Sequence, residues 1–214
     1  MRQTLEWEGS GMPSIYALKP AFQSYLRPLV RVLAAAGITA NQITVLALVL
    51  SCVVGLLVAV YPHEQWPLLL VPLVLFKRMA LNAIDGMLAR EHGMKSALGG
   101  FLNELADVIS DAAIYLPFAL LPGVAPAPVV IFVVLAVTSE MTGVVAQSLG
   151  ASRRYDGPMG KSDRAFVFGA LALVLGVGVE AGRWVDYLMA ALAVLTAVTI
   201  VNRLRNGLKE LAAK

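Results

Sequence analysis

Six stretches of this chain are each apolar for about the length of a bilayer crossing, and nothing else in the sequence limits its fold so strongly. They fall at roughly 42–60, 67–90, 99–121, 127–148, 164–180 and 184–204. About 20 apolar residues cross the hydrocarbon core as a helix. A helix also satisfies its own backbone hydrogen bonds, which lipid cannot do. Of 214 residues, 58% are hydrophobic and 14% charged, and the mean hydropathy is +0.75; a soluble domain carries about 25% charged residues. The expected fold is therefore all-α, a polytopic membrane helical bundle of six transmembrane helices.

Ahead of the first run, residues 14–37 (SIYALKPAFQSYLRPLVRVLAAAG) mix Lys19, Arg27 and Arg31 with apolar side chains. Pro20 and Pro28 disfavour one continuous helix, so the segment reads as one or two amphipathic pieces at the interface, or as a plain loop. The expected organisation is a cytoplasmic N-terminal interfacial segment over 1–37, a membrane domain over 38–205 and a cytoplasmic tail over 206–214. The opening residues MRQTLEWEGSGMPS lack the basic-then-apolar layout of a signal peptide. The first membrane helix is accordingly expected to be retained.

The net charge of +3 does not point to nucleic acid, because the basic residues sit in short segments between apolar runs. Arg2, Lys19, Arg27 and Arg31 precede the first run, and Arg90 and Lys95 follow the second. Arg153, Arg154, Lys161 and Arg164 follow the fourth; Arg203, Arg205, Lys209 and Lys214 end the chain. The connections on the other side, YPHEQW, LPGVAPAP and EAGRW, hold only Arg183. Positive loops face the cytoplasm, so both termini are expected there, in the cell inner membrane if the source is bacterial. Trp66 and Trp184 mark the far interface. Cys52 reads as a small packed side chain. His63 and His92 lie on opposite sides and cannot form a joint site.

The segment 82–111, NAIDGMLAREHGMKSALGGFLNELADVISD, places acids and amides inside this apolar chain. Asn82 and Asp85 share a face of the second run. Asn103, Asp107 and Asp111 recur at every fourth residue of the third and form a stripe. Gly86, Ala89, Gly99 and Gly100 are small enough to let two helices approach closely. Carboxylates near lipid need compensation. A hard cation such as Mg²⁺ or Mn²⁺, held by carboxylate and amide oxygens, would supply it and would serve phosphoryl transfer. A buried ion-pair network with Arg90 or the Lys77 and Arg78 pair, and no chemistry, is the other reading of the same spacing.

This segment resembles the signature of the CDP-alcohol phosphotransferase family, D-x2-D-G-x2-A-R-x8-G-x3-D-x3-D. Asp85, Gly86, Ala89, Arg90, Gly99 and Asp107 match in type and spacing, while Asn82 and Asn103 stand where the family has Asp. The stretch ITANQIT at 38–44 is similar to the family's approach to its first span, and GKSDRA to the opening of its fifth. The resemblance implies a membrane transferase of phospholipid synthesis that moves a substituted phosphate from a CDP-linked lipid donor to a small alcohol, releasing CMP at a site holding one or two divalent ions. It implies Asp107 as general base and Asn82, Asp85, Asn103, Asp107 and Asp111 as metal-ligand candidates, with Asp111 able to replace a lost charge. Asp85, Gly86, Ala89, Arg90 and Gly99 would meet the nucleotide. Arg153, Arg154, Lys161 and Arg164 would meet a phosphate on the acceptor, although positive loop charge accounts for them equally. A homodimer is a further family expectation. The two Asn residues point either to altered metal binding or to a relative that binds a CDP-alcohol without turnover. Acids within the second to fourth runs also leave a small ion-coupled transporter as an alternative. Glu140 is expected to face the bundle interior, and Lys77 and Arg78 to pair with it or with the acids.

Overall fold

The structure is a computed structural model that describes residues 18–214; the readings made for residues 1–17 lie outside the described residues. Seven α-helices follow one another: α1 (Leu18–Ala35), α2 (Ala40–Val60), α3 (Trp66–Glu91), α4 (Ala97–Tyr115), α5 (Pro126–Ser148), α6 (Lys161–Gly176) and α7 (Arg183–Ala212). A 3-10 turn, Leu116–Leu120, continues α4. There is no strand among the described residues. Helices α2 to α7 fall on the six apolar runs. By length and composition, α2, α3, α5 and α7 are able to cross a membrane. Helix α4 is made less apolar by Glu104, Asp107 and Asp111, and α6 is 16 residues long. Residues 206–212 of the expected tail continue α7 as helix.

Local sequence sets the helix starts. Thr39 accepts a hydrogen bond from the Gln42 backbone at 3.3 Å, and the Gln42 side chain accepts from Thr39 N–H at 2.8 Å; this reciprocal cap satisfies two otherwise unpaired donors of α2. Ser96 accepts from Gly99 N–H at 3.0 Å and starts α4. Asp163 accepts from Gly160 N–H at 2.9 Å at the start of α6.

Helix α1 is a single helix with Pro28 inside it, the one-piece form of the one or two pieces expected. The missing N–H removes one ladder bond. Packing offsets that loss: Val30, Leu26 and Leu33 join Ile43, Ile84, Met87 and Leu88 in one apolar cluster. Arg27 forms a two-pronged pair with Glu91, both bonds at 3.1 Å, which ties α1 to the end of α3. Tyr25, Leu29 and Val32 remain exposed on the outer face.

The bundle pairs α5 with α7, α2 with both α3 and α4, and α3 with α6. Its apolar core is centred on Tyr115, Phe118, Phe132 and Phe168, with Tyr115 stacked on Phe168 at 4.1 Å between ring centroids. Outside, Val53, Leu56, Phe76, Val134 and Val194 are exposed, while Arg164 and Arg203 are among the largest fully buried side chains. Apolar residues outside and charges inside reverse the soluble pattern and suit lipid as solvent.

Candidate active site

The polar stripe of α4 runs from the bundle's end into its core. Asn103 is exposed, Asp107 is one-quarter exposed, Asp111 is buried, and Tyr115 is buried a turn deeper. Successive members lie about 6 Å apart along the axis. Helix α3 runs the other way, with Arg78 deep, then Asn82 and Asp85, then exposed Arg90 at the mouth. These helices do not pack backbone to backbone. Both pack on α2, and the tight approach is between α2 and α4, where a Cβ on Gly55 would overlap the Ala113 carbonyl. The expectation that Gly86, Ala89, Gly99 and Gly100 bring α3 against α4 is thereby corrected. A Cβ on Gly86 would instead meet the guanidinium of Arg90 at 3.0 Å, one on Gly99 would meet Asn41 of α2 at 2.8 Å, and Gly100 faces open space. Ala89 is partly buried beside the α1 cluster. Holding α3 and α4 apart leaves a cleft that side chains bridge.

Near its mouth the cleft holds Asp85 and Asp107. Asp85 is buried and its Oδ2 accepts from Thr44 of α2 at 2.8 Å; it feels the charges of Asp107 and Lys161. Asp107 Oδ1 accepts from the Asn82 amide at 3.2 Å, forms an ion pair with Lys161, and lies 3.5 Å from Arg78 Nη2. All three donors converge on one oxygen.

Below this, Asp111 is clamped by two arginines. Arg78 Nη1 donates to Oδ1 at 2.5 Å, and Arg164 donates to Oδ2 at 3.0 and 3.2 Å. Arg164 also donates to Glu140 at 2.9 Å, and Arg203 lies 3.3 Å from the same carboxylate while donating to the Ser139 carbonyl at 2.6 Å. One chain of charges thus joins α3 to α7. With the first pair of donors taken by protein, Asp111 and Arg164 are structural members of this network in the observed arrangement.

The connection between α5 and α6 covers the site's flank. Arg153 donates to Glu104 at 2.8 and 3.1 Å and to Glu140 at 3.1 Å; Gly143 leaves the space its guanidinium occupies. Burial works against the Arg153 charge, but the Glu104 hydrogen bonds together with the negative charges of Glu104 and Glu140 outweigh it and hold the group above its ordinary value. Arg154 donates to Asp156 at 2.7 and 2.8 Å and to Glu210 at 3.0 Å. Those bonds hold the Asp156 carboxyl below the usual carboxylate range. Of the four basic residues singled out in this region, Lys161 is the one that reaches Asp107.

Thr44, Glu104 and Arg203 belong to this assembly and were not assigned to it by spacing. Thr44 had a legible signal, because it falls on the same face of α2 as Ala40, Ala47 and Ser51, all buried. Arg203 reads in sequence as ordinary terminal charge; only the packing of α5 on α7 buries it. Arg78 answers the alternative set out for it, balancing the acids, while Lys77 is exposed.

Chemically, the mouth offers two carboxylates and two amide side chains to a ligand. Among the described residues, no three His, Cys, Asp or Glu side chains converge as a metal group. The oxygens of Asp85, Asp107 and Asn82 are nevertheless the hard donors that Mg²⁺ and Mn²⁺ choose, so in donor chemistry the set fits such an ion.

A profile of CDP-alcohol phosphatidyltransferases matches residues 37–201. The inner membrane protein YnbA of Escherichia coli (strain K12) is 43% identical over 195 residues, 91% of this chain and 96% of its own length. The archaetidylinositol phosphate synthase of Pyrococcus horikoshii is 34% identical over 103 residues, 48% of this chain and 52% of its own. In fold, the chain is similar to Mycobacterium tuberculosis phosphatidylinositol phosphate synthase with CDP-DAG bound, with a TM-score of 0.70 and 23% identity over 84% of this chain and 92% of that one. The same neighbour in complex with manganese and citrate also gives 0.70, covering 87% of that chain.

Proposed function

The chain belongs to the CDP-alcohol phosphatidyltransferase family, and from that premise we propose how its cleft carries out the transfer. It is an integral membrane transferase of phospholipid synthesis. The donor is a CDP-linked lipid of the CDP-diacylglycerol type, and the acceptor a small alcohol that enters from the cytoplasmic side. The single observation that carries this reading is Asp107. It stands at the cleft mouth with Oδ1 held by three donors, and among the described residues no hydrogen bond or ion pair to its Oδ2 is seen.

A carboxylate pinned through one oxygen keeps the other oriented for a proton, which is what a general base needs. Asp107 Oδ2 takes the proton of the acceptor hydroxyl. The acceptor's hydroxyl oxygen bonds to the phosphorus carrying the lipid, the bond from this phosphorus to the bridging oxygen breaks, and CMP leaves with the electron pair. Asp85, with Asn82 beside it on α3, and Asp107 across the cleft would hold the divalent cation, and Asn103 adds an amide at the entrance. When bound, the ion neutralises diphosphate oxygens and favours departure of CMP. Gly86, Ala89, Arg90 and Gly99 line the side where the nucleotide lies, and Gly86 keeps the surface beneath Arg90 low. Lys161 meets a phosphoryl oxygen; Arg153, Arg154 and Arg164 support the acceptor's side of the pocket through their carboxylate partners.

The purified protein in lipid nanodiscs, given CDP-diacylglycerol, Mn²⁺ or Mg²⁺ and a panel of small alcohols, tests this. Mass spectrometry of the lipids should show a new phospholipid whose headgroup is one of the alcohols. No new lipid with any alcohol, and none with other CDP-alcohols as donor, would sink the reading.

A further inference from the structure

We propose that this chain holds one divalent cation and that the Lys161 ammonium takes the place of a second positive ion beside Asp107. The inference rests on the reading of the cleft as the transfer site and concerns what balances charge within it.

The donor count comes first. The mouth has two carboxylates, Asp85 and Asp107, and where two more acids would complete a four-carboxylate set the chain has Asn82 and Asn103. An amide keeps a carbonyl oxygen for a cation but brings no charge and cannot bridge two ions as a carboxylate does. Two carboxylates neutralise one divalent ion. A second such ion would leave excess positive charge in a partly buried cleft that already holds Lys161, Arg78 being paired with Asp111.

The orientation of the side chains then divides the site. Asn82 turns its N–H toward Asp107 Oδ1 at 3.2 Å, which directs its carbonyl oxygen away from Asp107, and it shares a helical face with Asp85. On the other side, the same Asp107 oxygen is in an ion pair with Lys161 and 3.5 Å from Arg78 Nη2. A position against Asp107 Oδ1 where a bridging cation would sit is therefore filled by protein donors, with the ammonium foremost. Lys161 is suited to this. It is the first residue of α6, its side chain is one-third exposed, and its three rotatable donors can hold Asp107 and a phosphoryl oxygen together.

Metal counting separates this from the transfer reading itself. Purified protein in nanodiscs, titrated with Mn²⁺, should bind one ion per chain and give the electron paramagnetic resonance spectrum of an isolated Mn²⁺. Asn82→Asp with Asn103→Asp and Lys161→Met should raise the count to two, with a broadened, spin-coupled spectrum. Two coupled ions in the unsubstituted protein, or none, would overturn the proposal, and so would a triple variant that folds and still binds one. Should the triple variant not fold, the count in the unsubstituted protein decides alone. CMP release from the same preparation reads the transfer independently: two ions with release leave the function standing and remove this inference, whereas one ion without release does the reverse.

Discussion

Asp107 and Asp111 occupy consecutive turns of one helix face, yet their surroundings give them different work. Asp111 sits between Arg78 and Arg164, side chains that are 4% and 1% exposed. Truncating one partner of a buried pair leaves the others uncompensated, at a cost of about 3–5 kcal/mol. Asp111→Ala should therefore lower the unfolding free energy in detergent by that amount. Asp107→Asn, at a quarter-exposed carboxylate facing a one-third-exposed lysine, should change it by less than about 1 kcal/mol. Equal losses at the two positions would contradict this division. The stripe of Asn103, Asp107 and Asp111 was legible from its four-residue spacing. Which member is buried was not, because that depends on Arg164, more than 50 residues on and read in sequence as loop charge.

At the level of elements, α2 separates the two helices that carry the site, and Gly55 sets how closely α4 can approach it. A Cβ there would overlap backbone rather than a flexible side chain, so the helices must shift. Gly55→Ala should destabilise the protein by about 1–3 kcal/mol and lower activity by spreading Thr44 and Asp85 from Asp107; a variant with unchanged unfolding would show the crossing to be loose. The α5–α6 connection gives a pH prediction. Arg154 depresses the pKa of Asp156, and a depressed acid contributes stability that is present above its unfolded value and lost as pH falls through its folded one. The unfolded value is about 3.9, so amide exchange in residues 150–157, corrected for the intrinsic pH dependence of exchange, should stay constant from pH 7 to about 5 and rise only below about 4. A rise beginning near pH 6 would count against the Arg154 clamp. Helix positions were legible from the apolar runs and the caps at Thr39 and Ser96. Whether α1 forms one piece or two was not, because tertiary packing of Val30 overrides the local effect of Pro28. Nor was the role of the glycines: spacing shows that small residues are present but not which helix they face.

For the molecule as a whole, apolar surface outside and a charge network inside specify a membrane bundle with a single polar end. We propose from the basic segments that this end faces the cytoplasm. With Cys52 replaced by serine, a lone cysteine at Lys95 should react with a membrane-impermeant maleimide only in inside-out vesicles, and one at His63 only in right-side-out ones; the reverse would invert the orientation. The helical membrane architecture was legible because apolar runs are local, and the transferase class because the signature segment resembles that of a known family. The pairing of Lys161 with Asp107 was not, because it joins α4 to α6 across the bundle. The proposed removal of the acceptor's proton by Asp107 stands or falls on a single comparison. CMP release in nanodiscs is measured for the unsubstituted protein and for Asp107→Asn, with CDP-diacylglycerol, an accepted alcohol and Mn²⁺, at matched CDP binding. Metal-dependent release should fall at least about 100-fold on substitution, while undiminished release in Asp107→Asn would remove Asp107 from the role of base.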